Sequence, residues 1–418
     1  MIFWTYNVLL ILLAIFWVPW MIWRASKRKD KPDWKQRTGD LPLESPKKGV
    51  RRAWIHAVSV GEVLAARPIL KEIRKLDPDL EIVLSTTTSS GQTAAKENAE
   101  GLFDHLVYFP IDVPRFVIAA MIRVRPKVVA IMETELWMNF LWAAKEFRAT
   151  TILVNARVSD RSFPRSVRIR PYYKALFANL DRAMAQTKVD ADRLKSLGFA
   201  DPEVVGNCKF DGAIEDTVPD KDWREELGIP RDAKVVVVGS TRSEHEEKLV
   251  VAALKAADLD VWVVHAPRHI ESAPGLAELY RAQFGAVALR SKGEHGRFLV
   301  LDTYGELAGV YAIADIVVLG GSFDDLGGQN LLQPLAHGKP VIHGPHMQNF
   351  KEAAAAAAAA RAAITARNEQ DLTDWLKRLM GSDVVRTMMG RAATELVEKN
   401  LGASRTYAKA IVEAARPV

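Results

Sequence analysis

Hydrophobic and polar positions change their pattern three times along this 418-residue chain. Residues 1 to 23 (MIFWTYNVLLILLAIFWVPWMIW) hold no charged side chain and are crowded with Leu, Ile, Phe and Trp. As a helix they would extend about 34 Å at ~1.5 Å per residue, enough to cross a hydrocarbon core of ~30 Å. Residues 24 to 37 (RASKRKDKPDWKQR) then carry seven Lys or Arg against two Asp, and the positive-inside rule places everything that follows on the cytoplasmic side. A cleaved signal peptide would want its basic residues before the apolar stretch and a small-residue cleavage site after it. A helix lying in the interface competes with a span, because Pro19 and Asn7 interrupt the stretch and tryptophans crowd its ends. The expectation is a single membrane anchor over 1–23, a span ahead of an in-plane helix, followed by a basic linker over 24–49.

From residue 50 onward, short apolar runs alternate with amphipathic stretches. Trp54–Val60 predicts a strand and Val63–Leu76 a helix with apolar residues three and four apart. Glu81–Thr86, Val128–Met132 and Thr151–Val154 predict further strands, each followed by a helical segment. The polar stretch 212–222 interrupts this pattern, which then restarts with strands at Val235–Gly239, Val261–His265, Phe298–Leu301, Ile316–Leu319 and Pro340–His343, and a helix at Glu246–Ala257. Such βαβα alternation predicts an α/β protein of two Rossmann-like domains, 50–211 and 223–418, joined by a linker at 212–222. Ligands of such sheets bind beyond the carboxyl ends of the strands, here in a cleft between the domains. Eight consecutive alanines at 353–360 predict a helix and no specific chemistry.

Composition adds bounds rather than a new picture. An apolar content of 49% and a charged content of 26% are ordinary for folded domains, so wholesale disorder is excluded. The single cysteine, Cys208, excludes an intramolecular disulfide. A formal net charge of +6 and an isoelectric point near 9.2 favour phosphates, nucleotides or anionic lipid headgroups as partners. Much of that excess lies in the segment after the anchor, so no nucleic-acid partner is expected.

Candidate chemistry sits at strand ends. The first strand runs into HAVSVGE (56–62), where Ser59 and Gly61 leave a tight turn and Glu62 opens a helix. A carboxylate there caps the helix, stabilising it by something like 0.3–1 kcal/mol; the same carboxylate also projects where a doubly wound domain meets its ligand, which suits a general base. In METELWMNF (132–140), Glu133 and Glu135 lie beside an aromatic, and either could form a structural ion pair with Arg157. Lys209, in GNCKFD (206–211), can reach a phosphate as a point charge. In the second domain, the turn of GSTRSEHEE (239–247) predicts an anion nest of backbone amides. Arg268 closes a strand in APRH (266–269), DTYGEL spans 302–307, and Gly320, Gly321, Gly327 and Gly328 flank a loop opening a helix near Asn330. Neither a Walker A loop nor the dinucleotide fingerprint is present. The nine histidines are scattered; His343 and His346 are close but lack partner ligands, so no metal site is expected.

Taken in order, these segments resemble the Kdo (3-deoxy-D-manno-octulosonic acid) transferases, glycosyltransferase family 30. The resemblance is carried by the apolar segment and basic linker, HAVSVGE, STTTSSG (85–91), YFPIDVP (108–114), METELWMNF, NARVSDRS (155–162), GNCKFD, GST, PRH, DTYGEL, GGSF, GGQN and GPHMQNF, from residue 1 to about 352. It implies a GT-B fold, two Rossmann-like domains facing a cleft, and inverting transfer of Kdo from CMP-Kdo to a lipid A precursor (lipid IVA) without metal or other cofactor. The acceptor belongs to the first domain and CMP-Kdo to the second. The family's base falls on Glu62, and its transition-state stabilising pair on Glu133 and Lys209. The CMP contacts fall on Pro267, Arg268, Tyr304, Gly305, Glu306, Asn330, Leu331, Leu332 and Gln333. The implied location is the cytoplasmic face of the inner membrane, against its anionic lipids, within lipopolysaccharide core biosynthesis.

The sequence departs from the family's pattern at a few positions. Glutamate is usual where Gln333 stands, Met138 replaces a usual proline, Arg242 stands where a histidine often follows GST, and the 242–247 loop is one residue longer. These departures bear on the donor, so a GT-B transferase using another nucleotide sugar is the alternative enzyme. A catalytically silent lipid- or glycan-binding relative would be free to lose Glu62, Glu133 and Lys209, all of which are present.

Overall fold

The computed structural model describes residues 2–26, 33–215 and 221–416. The chain forms two compact units, Met1–Gly212 together with Leu401–Val418, and Ala213–Asn400.

The first unit is built on seven parallel strands: β1 Arg52–His56, β2 Glu81–Thr86, β3 His105–Tyr108, β4 Val128–Met132, β5 Thr150–Ala156, β6 Arg182–Ala185 and β7 Glu203–Val204, in the order β3-β2-β1-β4-β5-β6-β7. The five residues of β1 and of β4 are all buried, as expected of strands covered by helices on both faces. Trp54 packs edge-on against Phe140 on one face, and Ile55 joins Ile69 and Leu70 on the other. β1 stops at His56, earlier than the apolar run to Val60 predicts, and the helix already begins at Val60. The Glu62 carboxylate accepts the Val58 amide at 2.9 Å, so this backbone donor goes to a helix-start contact. β3, β6 and β7 are short and were not anticipated.

Two expected boundaries are corrected. Residues 33–49 are no free linker: Leu41 and Leu43 enter the core, and Gly39, at φ +92°, lies against the Phe116 carbonyl with no room for a side chain. The second domain does not extend to residue 418, because the helix Ala403–Ala414 packs on the helix Val60–Leu76 of the first unit. Asp211 fixes its start by accepting the amides of Gly402 and Ser404, each at 2.7 Å. The expected linker 212–222 lies partly outside the described residues.

The amino-terminal helix, Ile2–Ser26, forms as predicted. Its first turns, however, dock on the first unit: Ile2, Phe3 and Tyr6 pack on the core around Phe140 and Phe177. Among the described residues no helix is long and apolar enough to cross a membrane. Part of the segment expected as an anchor over residues 1–23 is thus committed to protein contacts.

The second unit repeats the architecture with β8 Val235–Thr241, β9 Trp262–Pro267, β10 Ala288–Leu289, β11 Phe298–Val300, β12 Ile316–Leu319, β13 Val341–His343 and β14 Ala363–Thr365, in the order β10-β11-β9-β8-β12-β13-β14. The alanine run forms the helix Lys351–Ala359, and Ala363 beyond its end starts β14. The helix expected near Asn330 begins at Leu332 and is only five residues long.

Candidate active site

Both sheets reverse strand order once, and at such a reversal the loops diverge and leave a crevice. In the first sheet the reversal lies between β1 and β4, which pair directly. Glu62 follows β1 and Glu133 follows β4. With Oε2 of Glu62 held by the Val58 amide, its orientation is set by backbone. The side chain is half-buried. Burial pushes its carboxyl up to about 8; the Val58 amide opposes this, the charges of Glu133 and Glu135 add to it, and Lys209 lowers it. A carboxyl whose ionisation falls near neutral pH is suited to proton transfer, unlike an ordinary surface glutamate. His56, in the same segment, is buried and stacked on Phe109, and burial pushes it down to about 3, so its ring is neutral.

Glu133 has the left-handed backbone conformation, φ 55°, which costs a non-glycine residue about 1–2 kcal/mol. That conformation turns the chain off β4, and Oε1 of Glu133 accepts from the Lys209 ammonium at 2.9 Å. Glu133 is therefore paired with Lys209; its link to Arg157 is through backbone, the Arg157 amide donating to the Glu133 carbonyl at 3.4 Å. Burial and the neighbouring Glu133 raise Glu135, with Trp137 acting against them.

Lys209 is positioned by a buried amide network that the sequence did not reveal. Asn155, also at positive φ (53°), accepts the Cys208 amide at 3.3 Å through its side chain. Gln186 donates to the Asn155 carbonyl at 3.0 Å and accepts from Asn207 at 3.1 Å, while Asn207 accepts the Lys209 amide at 3.0 Å. The Cys208 thiol donates to the Ala65 carbonyl at 3.1 Å, tying the lysine segment to the helix that carries Glu62. Burial raises this thiol far above its ordinary value, so it acts as a tether and not as a nucleophile. The signal was the NC pair before Lys209, too short to read alone.

The second unit differs from expectation at its own reversal, between β8 and β12. The anion nest forms but is filled from within. Glu246, fully buried, accepts the amides of Arg242 (2.9 Å), Gly321 (2.8 Å), Ser322 (2.9 Å) and Phe323 (3.1 Å). These donors of the 239–242 turn and the glycine loop are thus committed to a protein carboxylate and not to a ligand phosphate. The acidic helix start, visible in the sequence, is its source.

The remaining expected CMP residues surround the carboxyl ends of β9, β11 and β12. Pro267 is buried and ends β9, leaving Arg268 exposed. Tyr304 is 64% exposed, and Gly305 beside it takes φ +84°. Burial works to raise Glu306, but Arg290 at 3.0 Å, Thr303 and Lys221 hold it below its ordinary value. It is accordingly a charged, well-anchored acceptor. Leu331 and Leu332 have buried side chains, so they offer backbone only. Asn330 caps its own turn by accepting the Leu332 amide at 3.0 Å, and Gln333 is half-buried on the short helix.

Two doubly wound parallel sheets of this order define a GT-B-like fold. Solved structures agree on the fold alone: MurG of Acinetobacter baumannii matches with a TM-score of 0.58 at 12% identity, over 87% of this chain and 99% of that one. UDP-GlcNAc 2-epimerase of Neisseria meningitidis matches with a TM-score of 0.55 at 12% identity, over 87% and 99%. A fold shared with an epimerase does not select the reaction.

Sequence relatives narrow the class. A family model for 3-deoxy-D-manno-octulosonic-acid transferase (kdotransferase) matches residues 32–212. The 3-deoxy-D-manno-octulosonic acid transferase of Bordetella pertussis is 32% identical over 94% of this chain and 95% of its own length. That of Haemophilus influenzae is 29% identical over 84% of each. The chain belongs to the 3-deoxy-D-manno-octulosonic acid transferase family.

Proposed function

We propose that the protein is an inverting glycosyltransferase that moves Kdo from CMP-Kdo to a lipid A precursor, lipid IVA, without a metal ion. The observation that carries this reading is the Glu62 carboxyl, pushed up to about 8 within the Glu133–Lys209 cluster of a Kdo transferase family member. In this reading Glu62 takes the proton of an acceptor hydroxyl while its oxygen forms a bond to the anomeric carbon of Kdo. The bond from that carbon to the CMP phosphate breaks, CMP leaves with the electron pair, and the anomeric centre inverts. A single displacement requires no covalent enzyme intermediate, which suits a site whose thiol is buried.

The Glu133–Lys209 pair stabilises charge in the transition state, and Arg268 meets the leaving phosphate by its exposed guanidinium. Tyr304, Gly305, Glu306, Asn330 and Gln333, with the backbone of Leu331 and Leu332, complete the CMP contacts. Filling of the nest by Glu246 removes the glycine-loop amides from that role. The enzyme works at the cytoplasmic face of the inner membrane, where the basic segment after residue 23 favours anionic lipid and the acceptor resides.

The test is incubation of the membrane-bound chain with CMP-Kdo and a tetra-acylated lipid A precursor, with the product weighed by mass spectrometry. A mass gain of one or more Kdo residues, unchanged by EDTA, is expected. Gln333 motivates a second reading, transfer from a different nucleotide sugar, and turnover with UDP-sugars but not CMP-Kdo would establish it instead.

A further inference from the structure

Two segments noted in the sequence, 108–114 and the Asn139–Phe140 end of 132–140, have no part in the chemistry above. Both of them hold the amino-terminal helix. The Tyr6 hydroxyl donates to Asp112 Oδ2 at 2.8 Å, and Asn7 and Asn139 exchange two amide hydrogen bonds of 2.9 Å. Asp112, buried behind this clasp, also accepts the amides of Asn139 (3.2 Å) and Phe140 (2.8 Å). Phe3 packs against Trp142, and Tyr6 against Tyr172, at ring separations of 5.1 and 5.8 Å.

Thirteen residues beyond the segment's end, the chain is tied to the same unit. Gln36 accepts the Tyr108 amide at 2.7 Å, and the Arg37 guanidinium donates to the carbonyls of Phe109 (2.8 Å) and Thr87 (3.0 Å). The chain thus leaves the first unit at Asn7 and has rejoined it by Gln36. A bilayer crossing would need those two points on opposite faces of the membrane, and one folded unit supplies both. Length agrees with this topology. Val8 to Trp23 is sixteen residues, and they extend about 24 Å as a helix, short of a core of ~30 Å.

The intervening helix is not made for water. Val8, Leu9, Ile11, Leu12, Leu13, Ile15 and Phe16 are all exposed, and their consecutive positions put apolar surface around the whole helix. Seven Lys or Arg follow within residues 24–37, complementary to an anionic headgroup layer.

We propose that residues 8–23 lie within the single leaflet that faces the catalytic units, as a one-sided anchor in an anionic bilayer. The Tyr6–Asp112 and Asn7–Asn139 clasp fixes this anchor to the segments that follow β3 and β4, on the edge of the sheet that carries Glu62 and Glu133. The anchor holds the base at the level of the headgroups, so a lipid acceptor is reached without leaving its leaflet. This rests on the membrane location proposed above and adds its topology.

The full chain has one cysteine, which is buried, so introduced thiols report cleanly. Two pairs, Asn7→Cys with Asn139→Cys and Phe3→Cys with Trp142→Cys, are each treated in isolated membranes with a short bifunctional thiol reagent. The single variants serve as controls, and flotation with phosphatidylglycerol-containing vesicles is measured in parallel. Both pairs are expected to cross-link within the chain, with flotation and transfer rate retained. Flotation and activity without cross-linking of either pair overturns the one-sided anchor and leaves the membrane location standing. Failure to float overturns the membrane location itself, and the anchor with it.

Discussion

The two sheet reversals start from one architectural plan and hold their carboxyl groups in opposite ways. At the β1–β4 reversal a half-buried carboxylate, Glu62, accepts a single backbone amide and is crowded by Glu133 and Glu135. At the β8–β12 reversal a fully buried carboxylate, Glu246, accepts four. One amide does not offset burial, so Glu62 ionises late. Four amides from two converging loops satisfy Glu246 and lock those loops together. The difference teaches that strand-end carboxylates of similar sequence setting become reactive or structural according to how many donors converge on them.

Five substitutions sharpen or break this contrast. The largest expected effect is that of Glu62→Gln, which removes the proton acceptor but not its shape. The transfer rate should fall on the order of a thousandfold, while CMP affinity, measured by calorimetry, stays unchanged. Loss of CMP binding instead would make Glu62 a structural group like Glu246.

Glu246→Gln should do the reverse. One accepting oxygen becomes an NH2 group facing backbone donors, and the expected loss of stability is about 3 kcal/mol, read as a lowered unfolding midpoint of the full chain. A fully stable variant would show that the nest does not depend on its plug.

The third expectation concerns pH. Glu62 is held at about 8 against an ordinary value of 4.5, so kcat/KM should rise with pH through about 8 as the base loses its proton. Lys209→Met removes a nearby cation and should move that rise to higher pH. Glu133→Gln removes a like charge and releases Lys209 from its partner, so it should move the rise to lower pH. The stability sign runs the other way: between 4.5 and 8 the unfolded chain has released a proton that the folded site keeps, so this group loses stability as pH increases. Glu62→Gln, which carries no proton to lose, should gain thermal stability over the native chain across that window. A pH–rate profile unmoved by both substitutions at 133 and 209 would dissociate the cluster from the base.

The smallest effect belongs to Gln333→Glu. A carboxylate is a stronger acceptor than an amide by roughly 1 kcal/mol, so CMP should bind a few-fold more tightly if this side chain meets a ribose hydroxyl. Unchanged affinity would remove Gln333 from the donor contacts.

Much of this was legible from the residues. Apolar runs buried on both faces place β2, β4, β5, β8 and β12 within a residue or two, because such runs have no other stable setting in a doubly wound sheet; β1 ends four residues short of its run. Glu62 was visible because the small residues before it leave a strand-to-helix turn. The Glu133–Lys209 pair was not legible as a contact, since its partners lie 76 positions apart and meet only after β4 and the Lys209 segment are placed. Glu246 looked like one more acid in a charged helix start, and only the convergence of the glycine loop on it showed its use.

By itself the sequence determined local matters: the alternation of elements, the apolar amino-terminal helix, the loop chemistry and the kinship with Kdo transferases. These depend on side chains near one another in the chain, whose periodicity and turn preferences act at short range. Tertiary structure alone decided which carboxylate is left under-solvated, which nest is already filled, that the last helix returns to the first unit, and that the chain is tied to one body at Tyr6 and Asn7 and again at Gln36 and Arg37. Each of those depends on donors and partners far away in sequence, and no local pattern encodes the distance between them.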